Sequence, residues 1–127
     1  MATRCHVGYI DNGEMIAVYS HHDGYPSGVL RSVLDLVEGQ GIETLVSELE
    51  RGRREGGIRS WSADGAETYG DMRNESSDNI WSWAVSERKQ LNNDYAYIFD
   101  RQSGGLVETY QYGEKVPVKT ILAQVNE

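Results

Sequence analysis

The sequence predicts an α+β fold: a mainly antiparallel sheet made of two hairpins, with two short helices packed on one face. Three observations carry this. Asn12-Gly13 lies between two alternating β-forming runs, the strongest short-range hairpin signal. Apolar residues then recur every three or four positions between residues 28 and 51. Two further β-forming runs, 95–99 and 106–112, flank a Gly-containing turn. The 127 residues are read as one domain, 1–127, long enough to bury a core without disulfides or metals.

The N-terminal hairpin can be read residue by residue. A type I′ turn needs positive φ at both central positions, so Asn12 and Gly13 take them and Asp11 opposes Glu14. Val7 then faces Val18, Tyr9 faces Ile16 and Cys5 faces Ser20, a mostly apolar set directed at the core. On the other face His6 opposes Tyr19, Arg4 opposes His21 and Gly8 opposes Ala17, a candidate pocket floor. His6 and His21 therefore share a face, and His22 points away from them.

Val29, Leu30, Val33, Leu34, Leu36 and Val37 form the apolar stripe of a first helix over 28–38, stopped by Gly39-Gln40-Gly41. Ile42, Leu45, Val46 and Leu49 mark a second helix ending near Arg51-Gly52. The only basic run of the chain follows, with Arg51, Arg53, Arg54 and Arg59. It reads either as complement to the helix's carbonyl end or as a guanidinium clamp for an anion. Residues 60–62 and 67–70 read as short strands around an Asp64-Gly65 turn, and 71–79 as a surface loop. Residues 80–85 are read as a strand or as a helix running on through Arg88. Trp61, Trp81 and Trp83 read as core anchors, with stacking platforms as the alternative. Residues 113–116 are expected to be a loop and 117–125 a C-terminal helix. The expected core is Val7, Tyr9, Ile16, Val18, Leu30, Leu34, Leu45, Leu49, Ile98 and Val107.

Charge and composition bound the function. A net charge of −8 argues against wrapping a nucleic-acid backbone, which needs a basic surface. The single cysteine, Cys5, can form neither an internal disulfide nor a cysteine-based zinc site. No apolar run reaches membrane-spanning length and no signal peptide is legible, so a cytoplasmic setting is expected.

The densest titratable cluster is His21-His22-Asp23-Gly24-Tyr25-Pro26-Ser27, where the second strand turns into the first helix. Gly24 is expected to take positive φ, Pro26 to pre-set the turn and Ser27 to cap the helix. Amides left free at the helix start, with His21 and Arg4 nearby, would favour an anionic group, and Tyr19 and Tyr25 an aromatic wall.

The stretches Thr3-Arg4-Cys5-His6-Val7-Gly8-Tyr9 and Val18-Tyr19-Ser20-His21-His22-Asp23-Gly24-Tyr25-Pro26 resemble a group of small tailed-phage proteins. Those begin with Ser-Thr-Arg and carry a His-Trp-Asp-Gly-Tyr-Pro corner, so His22 stands where Trp is usual. Their mid-chain Tyr-Gly-Arg-Asp-Arg-Gly-Glu segment is matched here at Tyr69, Gly70, Arg73 and Glu75. Asp94-Tyr95-Ala96-Tyr97-Ile98-Phe99-Asp100 resembles their late Glu-Tyr-Ala-Tyr strand. The resemblance implies a phage origin and a host-cytoplasmic setting, and carries no shared activity.

Two functions fit. The first is a binding or inhibitory protein of counter-defence type, sequestering a small nucleotide signal or covering a host defence protein. Its expected contacts are Arg4, His6, Tyr19, His21, His22, Asp23, Tyr25, Arg53 and Arg54. The alternative is a small hydrolase or nucleotide-cleaving enzyme using the corner of His21, His22 and Asp23. No nucleophile sits at a recognisable strained turn, and the corner lacks a third metal ligand on one face. No catalytic residue, metal or cofactor is therefore assigned, and a homo-oligomer stays open.

Overall fold

A computed structural model describes residues 3–70 and 84–127. Eight strands form one sheet: β1 (Cys5–Asp11), β2 (Glu14–Ser20), β3 (Ile58–Ser62), β4 (Gly65–Thr68), β5 (Ala84–Val85), β6 (Tyr95–Asp100), β7 (Leu106–Gln111) and β8 (Glu114–Val116). The order across the sheet is β4-β3-β2-β1-β6-β7-β8, and β5 pairs with part of β2. A π-helical turn at Pro26–Leu30 leads into α1 (Arg31–Gln40), followed by α2 (Ile42–Arg54); α3 (Val118–Leu122) is near the C-terminus. What the sequence predicts for residues 71–83, Trp81 and Trp83 included, lies outside the described residues.

The β1–β2 register is the expected one, from Cys5 opposite Ser20 to Asp11 opposite Glu14. Asn12 (φ 52°) and Gly13 (φ 83°) take the two left-handed positions of the turn. The pairing stops before Arg4 and His21. The Arg4 N–H donates to Asp94 Oδ2 at 3.1 Å, and the His21 N–H donates to the Ile58 carbonyl at 2.9 Å.

The sheet is mixed rather than mainly antiparallel. β6 lies parallel to β1, and β3 parallel to β2 at Ser20–Ile58, while the remaining pairs are antiparallel. Alternation in sequence states which face of a strand is buried, and it does not state which strand lies beside it. β2 shares one edge between two neighbours: β5 along Ala17 and Val18, then β3 from Ser20 onward.

α1 and α2 cover one face, over Cys5, Val7, Tyr9, Val18, Tyr97 and Phe99, with Leu30, Val33, Leu36, Leu45 and Leu49 directed inward. Seven of the ten expected core residues are buried; Ile16 and Leu34 are half-buried. Val107 is 42% exposed: the β6–β7 register passes from Ile98–Glu108 to Phe99–Leu106, so Val107 is the extra residue of a bulge and falls outside the regular alternation. Within the expected loop 113–116, residues 114–116 form strand β8. Tyr112 (φ 53°) and Gly113 (φ 82°) make a second left-handed turn there. The opposite face carries Met15, Ala17, Ala96, Ile98 and Tyr110, with Leu91 packed on it and Val85 of β5 beside it. Gly8 and Ala17, expected on a pocket floor, are both buried on this face.

Arg88, just before Leu91, clamps this segment to β7. Its guanidinium donates to both Glu108 carboxylate oxygens at 2.8 Å, and Tyr110 Oη donates to Glu108 Oε1 at 2.6 Å. The Arg88 hydrogen bond, above all, holds the Glu108 carboxyl down to about 2. A depressed folded-state value stabilises the fold above the unfolded carboxyl's pKa and is lost as pH falls through the folded value. The Arg88→Ala variant should therefore be less stable by ~1–2 kcal/mol at neutral pH. The gap should close between about pH 4.5 and pH 2 in an acid titration of stability.

Candidate functional site

The corner between β2 and the helices is built mainly from backbone. Asp23, not Gly24, takes the left-handed conformation (φ 58°), one that Asp tolerates better than most residues. Gly24 is needed for a different reason: a Cβ there would lie 2.9 Å from Thr3 O and from Arg4 C. The Gly24 N–H donates to Thr3 O at 2.9 Å, and the Gly24 carbonyl accepts from the buried Tyr97 hydroxyl at 2.6 Å.

The helix entry differs from the sequence expectation. Tyr25 occupies the cap position, no side chain caps the helix, and Pro26 stands first, where its missing N–H costs nothing. Ser27 therefore lies inside the turn. The Gly28 N–H donates to Tyr25 O at 2.9 Å and the Val29 N–H to Asp23 O at 2.8 Å. The chain's own carbonyls consume these two amides, so they are not free to receive an anion.

Asp23 contributes through its backbone and through an acceptor for Tyr25 Oη at 3.3 Å. The Asp23→Ala variant should lose ~1 kcal/mol, because alanine is strained at positive φ. The Asp23→Gly variant should stay within ~0.5 kcal/mol of wild type in urea denaturation. Equal losses in both would show that the side-chain contact matters and the backbone conformation does not.

The candidate residues divide between the two faces of the sheet. On the face away from α1 and α2, Tyr19 Oη is hydrogen-bonded to His21 Nδ1 at 2.6 Å. His6 meets Tyr19 edge-on, with ring centroids 6.3 Å apart, and Tyr69 meets His21 at 6.2 Å. His6 is only 5% exposed, and the Asn93 side-chain amide donates to its Nδ1 at 3.1 Å. Burial lowers the His6 imidazole to about 4, so it is neutral near pH 7. His6 is thus a packed, neutral group with little surface to offer a partner.

On the helix side, His22, Asp23 and Tyr25 line a groove of about 340 Å³ with Arg31, Asp35 and Trp61. The groove exists because β3 continues alongside β2: the His22 N–H donates to Arg59 O at 3.1 Å, which brings Trp61 opposite the start of α1. In sequence Trp61 reads only as a core anchor or a stacking platform, and no pattern joins it to the corner. Arg31 and Asp35 are not among the expected contacts. Their signal was present: Gly28, Arg31, Ser32 and Asp35 follow a three-and-four spacing on the polar face of the first helix.

Arg4, Arg53 and Arg54 do not line the groove. Arg53 and Arg54 close α2, which extends through Arg54 rather than stopping at Gly52, and Arg53 lies 3.9 Å from Glu50. Arg51 is a tie between α2 and β4: it pairs with Glu48 at 3.2 Å and Glu55 at 3.4 Å, and donates to the Ala66 carbonyl. Arg59 pairs with Glu67 at 3.6 Å. Arg51, Arg53 and Arg59 thus lie beside separate carboxylates, and among the described residues Arg54 forms no ion pair.

His21 and His22 are adjacent, with ring centroids 4.6 Å apart, yet belong to different faces, and Asp23 is engaged by Tyr25. Among the described residues no three His, Cys, Asp or Glu side chains are grouped to hold a metal ion. No helix of the described residues is long and apolar enough to cross a membrane.

No family model, curated protein or solved structure matches this chain. The groove's geometry therefore carries the functional reading.

Proposed function

We propose that this is a small binding or inhibitory protein of tailed-phage origin, acting in the host cytoplasm by covering a surface of a host defence protein. The single observation that carries the reading is the groove, where Tyr25 and Trp61 stand beside Asp23 and Asp35 at the start of α1. Aromatic side chains with polar neighbours in a concavity are the usual anchors of protein recognition. The resemblance of the Thr3–Tyr9 and Val18–Pro26 stretches to phage proteins supports the setting. Of the two targets expected from sequence, a protein surface suits the groove better than a nucleotide. Two carboxylates line it against one arginine, and the chain carries a net charge of −8.

The test is capture from infected-host lysate, with mass spectrometry for both protein and nucleotide. Ser32 lines the groove, and the Ser32→Trp variant fills it whatever chemistry the partner has. Enrichment of one host protein by wild type, lost in a Ser32→Trp variant of unchanged melting temperature, is the expected result. Equal capture by both, or turnover of a nucleotide by the purified protein, would overturn the proposal.

A further inference from the structure

We infer that the groove seats one basic side chain, an arginine or lysine presented by the partner protein. Its cationic head meets the Asp23 and Asp35 carboxylates and its aliphatic stem lies along Tyr25 and Trp61. The inference rests on the binding reading above and names the chemistry that the groove recognises.

Neither Asp23 nor Asp35 has an ion-pair partner among the described residues. Asp23 accepts only the 3.3 Å bond from Tyr25 Oη, whose strength falls off at that length. Most other carboxylates near arginines in this fold are matched: Glu48 with Arg51, Glu108 with Arg88, Asp11 and Glu43 with Arg101. Two unmatched carboxylates in one concavity are a standing preference for a cation.

The walls suit the same ligand. Tyr25 is 40% exposed and Trp61 is half-buried, so both present ring surface to a guanidinium or ammonium group and its methylenes. The feature that would have favoured an anion, a set of free helix-start amides, is absent at Gly28 and Val29, whose N–H groups are bonded to Tyr25 O and Asp23 O. At about 340 Å³ the groove lies at the small end of ligand sites, the size for a side chain rather than an extended cofactor. The net charge of −8 adds long-range attraction for a basic surface.

Arg31 lines the same groove and sets the limit on what enters. It lies one helical turn before Asp35, the less favourable order for an intrahelical pair, and no ion pair joins them. A second cation beside the first would meet this guanidinium, so the groove selects a single basic residue and not a polybasic run.

The experiment is an amide NMR titration with N-acetylarginine amide, using N-acetylnorleucine amide and AMP as comparisons. The expected result is saturable shifts at residues 22–35 and 61–63, including the Trp61 indole, with the arginine probe alone. The apparent Kd should be of millimolar order and weaken as salt is raised. The Asp35→Asn and Asp23→Asn variants should each weaken it by about fivefold to tenfold, with folding unchanged because Asn also tolerates positive φ at position 23. Absence of saturable shifts, equal shifts with norleucine amide, or shifts with AMP in place of arginine would each overturn the inference. If Ser32→Trp abolishes host-protein capture while the arginine probe fails, the binding reading stands and only the cation assignment falls. If Ser32→Trp leaves capture intact, the groove reading falls with it.

Discussion

The Gly8→Val variant is expected to lose at least ~3 kcal/mol of stability, and Gly8→Ala ~2 kcal/mol. β propensity predicts the opposite, since valine in a strand is ordinarily worth up to ~1 kcal/mol over smaller residues. The contact geometry decides. A Cβ on Gly8 would lie 2.7 Å from both the Cα and Cβ of Ala17 and would press on the Ile16 carbonyl. Ile16 O and Ala17 Cα are partner backbone and Ala17 Cβ is fixed directly to it, so none is the end of a flexible side chain. They have nowhere to go, because Ala17 also pairs with Val85 of β5, and Gly8 itself pairs with Ile98 of β6. At ~3–6 °C per kcal/mol for a chain of this size, Gly8→Val should melt roughly 10–20 °C below wild type. A Gly8→Ala variant as stable as wild type in urea would show that β1 and β2 are further apart than this.

The second large effect is expected at Tyr97. Its ring is fully buried among the residues beneath α1 and α2, and its hydroxyl donates to the Gly24 carbonyl at 2.6 Å across 73 residues of sequence. Burial, first of all, raises its pKa well above the ordinary phenol range, so the group stays a donor at every workable pH. The Tyr97→Phe variant keeps the ring volume and removes only this donor, leaving a buried carbonyl unpaired, at a cost of ~1–3 kcal/mol. The loss should be felt at the corner before the core. Amide exchange at His22, Gly24 and Gly28 should accelerate more than at Val7 or Phe99. Uniform acceleration would mean that the hydroxyl stabilises the fold globally and does not hold the corner in place.

The two sites also show why part of the candidate groove was legible in sequence and part was not. The corner announced itself because Gly24, Tyr25 and Pro26 interrupt a strand just before an amphipathic run, a pattern set within a few residues. His22, Asp23 and Tyr25 were found that way. Trp61 reaches the same groove only because β3 returns alongside β2 after both helices. His6, by contrast, lies on the strand face that the register predicts, yet its burial was not legible. The register that put it opposite Tyr19 said nothing of the Leu91 segment and Asn93 that close over that face.

By itself the sequence determined what depends on neighbouring dihedral angles. The turn at Asn12-Gly13, the β1–β2 register that follows from it, the two helical stripes and the existence of a polar corner are of this kind. Each is decided by positive-φ tolerance, side-chain periodicity or a break in both. Only the tertiary structure decided which strands lie side by side: β6 parallel to β1, β3 sharing an edge of β2 with β5, and β8 as an added strand. It also decided that the Gly28 and Val29 amides are consumed by the Tyr25 and Asp23 carbonyls, and that Arg51, Arg53 and Arg59 lie beside separate carboxylates. Those outcomes turn on free-energy differences between distant partners of similar chemistry. A two-residue period or a charge run favours none of those partners over another until the chain has closed the loops between them.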